Sequence, residues 1–303
     1  MTEVPPLSRT FPADSEAIEP AAADVPTTPQ TISPAYRLAF EDVDFLLRQD
    51  LRPVRLQLEL LKPELLQQEH AIRSCIVVFG SARVCEPGEA ARILAEAEAE
   101  AHRHPGDRAL ARKLAIARRM AANSRYYEEA RRFAQIVSST SIGEHVSDFV
   151  IKTGGGPGIM EAANRGADDV GAKSIGLNIV LPFEQAPNAY VTPELCFRFH
   201  YFAIRKMHFL TRSKALVVFP GGFGTLDELF EALTLIQTHK IEPIPVLLFG
   251  REYWERVINI DAMIGEGMIS LEDKNLFSFV ETAEEAWDRI ADFYRLPHGK
   301  HAG

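Results

Sequence analysis

Residues Ala215-Leu216-Val217-Val218-Phe219-Pro220-Gly221-Gly222-Phe223-Gly224-Thr225 decide the fold. An apolar run of strand length meets a proline and passes through a glycine turn into 226–237, whose composition and spacing predict a helix. The same unit occurs twice upstream. Cys75-Ile76-Val77-Val78-Phe79 leads into Gly80-Ser81-Ala82-Arg83, and Phe149-Val150-Ile151 leads towards Thr153-Gly154-Gly155-Gly156-Pro157-Gly158. Two more short apolar runs, 174–179 and 245–249, lie between stretches of helical spacing, and a last helix is expected over 283–293. Continuous apolar strands alternating with helices predict an α/β protein, a doubly wound parallel sheet with helices on both faces.

Outward from that core the chain changes character. Residues 1–36 are rich in Pro, Ala, Thr and Ser, a composition that buries too little to offset ordering entropy, so a disordered tail is expected. Residues 37–70 carry two apolar runs with Pro53 between them, which predicts an extension of two amphipathic helices. The main domain is expected over 71–297. It contains an Ala-, Glu- and Arg-rich helical insertion at about 87–138, either a hairpin or an interrupted helix pair, broken at His104-Pro105-Gly106-Asp107.

Composition sets limits on partners. A net charge of −9 argues against general affinity for a nucleic-acid backbone, so any phosphate grip must be local. Three cysteines without CxxC spacing indicate neither a disulfide framework nor a zinc knuckle, and a reducing cytoplasm fits best. No apolar run reaches the roughly 18 to 20 residues that span a bilayer. The nine histidines lack HExxH-like spacing, so no metal is expected.

In a doubly wound sheet, ligands bind at the carboxyl ends of the strands, which is where the three small-residue turns fall. Glycine lets backbone N–H groups approach a phosphate, and the helix that follows adds the positive end of its dipole. A single such turn is as often steric as functional; three on one sheet edge favour binding. None reads GxxxxGKS/T or a correctly spaced GxGxxG, so the sequence supports neither a P-loop nor a dinucleotide fold.

Pro220-Gly221-Gly222-Phe223-Gly224-Thr225-Leu226-Asp227-Glu228 resembles the PGGxGTxxE signature of the Lonely Guy family of nucleotide phosphoribohydrolases, long mislabelled lysine decarboxylases. Arg205-Lys206, Gly154 through Met160 and Gly80 through Arg83 extend the resemblance over about residues 72–296. It implies a Rossmann-like fold, a homodimer or larger homo-oligomer, no cofactor, and cleavage of the N-glycosidic bond of AMP or a cytokinin ribotide. By motif position it implies that Arg205 and Glu228 are catalytic. It further implies that Gly80, Ser81, Gly154, Gly155, Gly156, Met160, Glu184, Lys206, Gly221, Gly222, Gly224, Thr225 and Thr234 surround the nucleotide.

The residue chemistry agrees with those roles. Glycosidic cleavage builds oxocarbenium character on the ribose and negative charge on the departing base, so a carboxylate and a guanidinium suit its opposite ends. Arg205 does not deprotonate usefully near neutrality, which leaves it electrostatic work on the base or the phosphate. Plainer readings stand beside these. Glu228 falls in the first turn of the expected helix, where an acid is favourable without any catalytic duty, and Arg205-Lys206 could be an ordinary solvated pair. Decarboxylation on pyridoxal phosphate would need a Schiff-base lysine, and nothing in the sequence singles one out. The rival to the hydrolase is a nucleotide sensor or carrier that uses the same loops without chemistry.

Overall fold

The computed structural model describes residues 26–140, 147–182 and 186–296. Its helices and strands in chain order are α1 (Val43–Leu46), α2 (Arg52–Glu69), β1 (Cys75–Phe79), α3 (Pro87–Arg103), α4 (Arg108–Asn123), α5 (Arg125–Thr140), β2 (Val150–Thr153), α6 (Ile159–Asp168), β3 (Ser174–Ile179), β4 (Cys196–Phe199), α7 (Phe202–Leu210), β5 (Ser213–Val218), α8 (Phe223–Gln237), β6 (Val246–Phe249), α9 (Arg251–Val257), α10 (Ile260–Gly265), β7 (Ser278–Val280) and α11 (Ala283–Tyr294). Two compact units result, Met1–Arg55 and Leu56–Gly303, with the boundary inside α2.

The seven strands form one sheet in the order β4-β3-β2-β1-β5-β6-β7, parallel at every pairing. Alternation along β1 builds the two cores. Ile76 and Val78 face a layer of α5, α6 and α11 that contains Phe133, Ala163 and Trp287. Cys75, Val77 and Phe79 face the opposite layer, where Phe209 of α7, Leu229 and Ala232 of α8, and Trp254 of α9 pack. Both faces are covered, which is why these strands read as unbroken apolar runs. The chain winds outward from β1 to β4, returns to β5 beside β1, and winds outward again to β7. The reversal lies between β1 and β5, where such folds open a crevice.

The doubly wound expectation therefore holds, with local corrections. Residues 87–138 form three helices, not a pair. The expected break precedes α4, where Asp107 accepts from the N–H groups of Ala109 and Leu110, and a second break falls at Ser124. Helices α3 and α4 pair through small residues, with only Ala90, Ala97 and Ala117 buried, whereas α5 is a core helix with Tyr127, Phe133 and Val137 fully covered. Pro53 does not separate two helices: it sits in the first turn of α2, where the missing N–H removes no intrahelical bond. Of the expected tail, residues 1–25 lie outside the described residues, and Pro34–Tyr36 forms a 3-10 turn capped by Ser33.

Candidate functional site

The ends of β1 and β5 are in register, with Phe79 opposite Val218, so the turns that follow them lie side by side. Phe219 N–H donates to the Phe79 carbonyl at 2.8 Å, and Ser81 N–H to the Pro220 carbonyl at 3.0 Å. The turn after β2 joins them through Ile159 N–H on the Ser81 carbonyl at 3.2 Å. Gly158, at φ +73°, is pressed against that same backbone: a Cβ there would strike the Ser81 carbonyl oxygen. Three sheet-end turns are thus bonded into one rim.

Under this rim lies a cavity of about 300 Å³, lined by Gly80, Ser81, Ala82 and Arg83 after β1, Gly154 and Met160 after β2, Phe202, Arg205 and Phe209 on α7, and Gly222, Gly224, Thr225, Asp227 and Glu228 around the start of α8. Residues as far apart in the chain as Gly80 and Glu228 meet here because the winding reverses at β1/β5. Helix α8 begins at Phe223 with Gly222 as its N-cap, three residues earlier than the spacing suggested, so the turn's own N–H groups are the helix's free first donors.

Arg205 enters from α7. Its Nε donates to the Leu177 carbonyl at 2.8 Å, and its guanidinium stacks over the Phe209 ring at 5.0 Å from the centroid. A Cβ on Gly154 would lie 2.8 Å from both Arg205 Nη2 and the Met160 sulfur, so this glycine makes room for the guanidinium. Burial pulls the Arg205 pKa down while Glu228 pulls it up, and a guanidinium keeps its charge through such a contest.

Glu228 is 9% exposed. Burial pushes its carboxyl up to about 7, against the opposing pull of Lys206 and Arg205 and with help from Glu231 and Asp227. The early start of α8 puts Glu228 in the second turn, which corrects the first-turn reading and removes the dipole as a sufficient reason for an acid there. A carboxyl balanced near neutrality beside a fixed cation is what proton transfer needs.

The cavity thus gathers Arg205, Glu228, Gly80, Ser81, Gly154, Met160, Gly222, Gly224 and Thr225 from the residues marked by sequence. Others lie behind or beside it. Gly155 N–H is taken by Thr153 Oγ1, and the Gly156 carbonyl accepts from Asn188 Nδ2 at 2.9 Å. The Gly221 carbonyl accepts from the Tyr253 hydroxyl at 2.6 Å. Lys206 Nζ pairs with Asp227 at 2.9 Å and Glu231 at 3.2 Å, which ties α7 to α8. Thr234 faces outward on α8 with its hydroxyl on the Phe230 carbonyl, and Glu184 lies outside the described residues. Sequence reading passed over Arg83, Phe202 and Asp227, which line the cavity, and over Asn188 and Tyr253, which brace its turns. Arg83 was legible from its place in the first turn; the braces come from distant segments with no motif of their own.

Among the described residues no lysine lines the cavity, no group of three or more His, Cys, Asp or Glu side chains could hold a metal, and no helix is long and apolar enough to cross a membrane.

The family described as "Possible lysine decarboxylase" matches residues 160–290, which include both Arg205 and Glu228. A probable cytokinin riboside 5'-monophosphate phosphoribohydrolase, LOGL3 of Oryza sativa subsp. japonica, is 28% identical over 153 residues, 46% of this chain and 66% of that protein. The cytokinin riboside 5'-monophosphate phosphoribohydrolase LOG4 of Arabidopsis thaliana is 28% identical over 144 residues, 46% of this chain and 65% of its own. The matched segments therefore span about two thirds of those relatives. Among solved structures, the Moco carrier protein from Chlamydomonas reinhardtii is 16% identical, with 74% of this chain and 99% of that one covered at a TM-score of 0.42. By its motif and these sequence matches, the chain is similar to the Lonely Guy family over its second half.

Proposed function

We propose that the protein hydrolyses the N-glycosidic bond of a purine nucleoside 5'-monophosphate, AMP or a cytokinin ribotide, to the free base and ribose 5-phosphate. The observation that carries this reading is the pairing, in one cavity, of a fixed guanidinium with a buried carboxyl whose pKa is about 7, beside the open end of a glycine-started helix. The matched relatives' names support it.

In this reading the 5'-phosphate rests on the N–H groups at the start of α8 and on the Gly80-Ser81 turn, with Arg83 adding positive charge at the mouth. Glu228 in its ionised form faces the ribose. As the C1'–N bond lengthens it stabilises the oxocarbenium character, then takes a proton from the water whose oxygen bonds to C1'. The bond electrons leave with the base, which gains a proton. Arg205 stabilises the negative charge on the leaving base. Atoms balance with water as the only co-substrate. The PGGxGT turn and Glu228 need no pyridoxal phosphate, and the absence of a lysine from the cavity lining among the described residues speaks against a Schiff base.

The test is chromatography of products from a panel of nucleoside monophosphates, nucleosides and an N6-isopentenyladenine ribotide. Free base and ribose 5-phosphate from monophosphates alone, strongly reduced but still measurable in Arg205→Ala and Glu228→Ala, is the expected result. Bound but intact nucleotides throughout would overturn it in favour of a sensor or carrier.

A further inference from the structure

Helix α7, which carries Arg205, is held at both ends by charged side chains from elements that contribute nothing to the cavity lining. At its start, the Glu59 carboxylate of α2 accepts from His200 N–H at 2.8 Å and Tyr201 N–H at 3.0 Å; Tyr201 is the N-cap. At its end, the Lys152 ammonium of β2 donates to the His208 carbonyl at 2.9 Å and the Thr211 carbonyl at 2.8 Å. Glu64, also on α2, pairs with Arg212 just beyond the helix, and Arg212 in turn donates to the Ile72 carbonyl at 2.7 Å. The signs match the helix dipole: an anion at the N-terminal end and a cation at the C-terminal end.

Lys152 is the most telling member. It is 0% exposed in the middle of the sheet, a position where an aliphatic side chain would pack without desolvating a charge. It donates to carbonyls freed by the end of α7 and lies against the buried Cys75 thiol, with no carboxylate as a hydrogen-bond partner. The next turn of the same helix end is closed by Thr211 and Ser213 hydroxyls on the Met207 and Phe209 carbonyls. One turn upstream of His208 lies Arg205, whose only side-chain hydrogen bond among the described residues is Nε on Leu177. The guanidinium's place in the cavity therefore depends on where α7 is held.

We propose that Glu59 and Lys152 are positioning residues that fix α7, and with it the Arg205 guanidinium, so that α2, which lies outside the matched segment 160–290, is a working part of the site. This rests on the hydrolase reading for its kinetic test, but not for its structural one.

Lys152→Met keeps the bulk and removes the cation. Turnover of the best monophosphate is expected to fall roughly tenfold to a hundredfold, the scale of a small misplacement of a catalytic group, with KM changed much less. In an Arg205→Ala background the same substitution is expected to cause no further loss, because Lys152 acts through Arg205. Full additivity of the two losses, or unchanged turnover in Lys152→Met, overturns the proposal. If Lys152→Met fails to fold, Glu59→Gln, on a partly exposed side chain, is the second arm, with the same loss and the same non-additivity with Arg205→Ala expected. Hydrogen exchange separates this proposal from the hydrolase reading. Even if every nucleotide is left intact by the wild-type protein, amides of α7 should exchange faster in Lys152→Met or Glu59→Gln, while those of α5 and α11 do not. Unchanged α7 protection in folded variants overturns the clamp whatever the activity.

Discussion

Glu228→Gln should stabilise the protein while inactivating it, and the gain should depend on pH. A carboxyl raised from 4.5 to about 7 favours the protonated native state, so its ionisation costs the fold about 3 kcal/mol in full. The sign follows from the raised value. Below the unfolded-chain value of 4.5 both states are protonated and the cost is absent; it grows as pH rises from 4.5 and is complete above about 7. Glutamine keeps the shape and cannot ionise. Denaturant unfolding of wild type and variant at pH 5 and pH 8 should give a stability gain about 2 kcal/mol larger at pH 8, or roughly 4–8 °C in Tm for a domain of this size. Turnover should meanwhile fall by about 10²- to 10⁴-fold, the range for loss of a general acid or base. An equal gain at both pH values, or none at pH 8, would refute the claim that burial holds this carboxyl near neutrality.

Other outcomes follow from neighbouring contacts. The kcat/KM profile should lose activity below an inflection near 7 as Glu228 is protonated, and Lys206→Met should move that limb to higher pH, since Lys206 holds the carboxyl down; a profile flat from pH 5 to 8 would contradict this. Gly154→Ala should fold yet lose about tenfold or more in kcat, because the new methyl meets the Arg205 guanidinium and the Met160 sulfur at 2.8 Å; retained kcat would show that the guanidinium has room to spare. Tyr253→Phe should cost about 1 kcal/mol and raise KM for monophosphates more than it lowers kcat, by freeing the Gly221 carbonyl; steady-state kinetics and thermal unfolding check both parts.

The sheet was legible because burial on both faces keeps the runs of β1, β5 and β6 apolar, and β3 lies over the residues read for it. Two strands escaped notice for physical reasons. β4, Cys-Phe-Arg-Phe, alternates buried and exposed at the sheet edge, and β7 has three residues, too few for a period. The break before α5 carries no glycine or proline; Ser124 makes it, turning its hydroxyl onto the Ala121 carbonyl. At the site, the glycine turns, Arg205 and Glu228 were readable as a motif. Lys152 was not: a lysine ending an apolar strand reads as solvent-facing, and its acceptors lie 56 and 59 residues away.

The Lys206 bridge makes α7 and α8 a caliper of preferred gauge. Arg205 and Glu228 each sit next in sequence to a member of the ion pair between the helices, Lys206 and Asp227. A shift of either helix must stretch or re-form that pair, so the bridge favours one spacing between the Arg205 and Glu228 side chains. On the hydrolase reading, ligands of different bulk find their extra room at the mouth, beyond the caliper's grip, and selectivity among bases is set by what surrounds the opening.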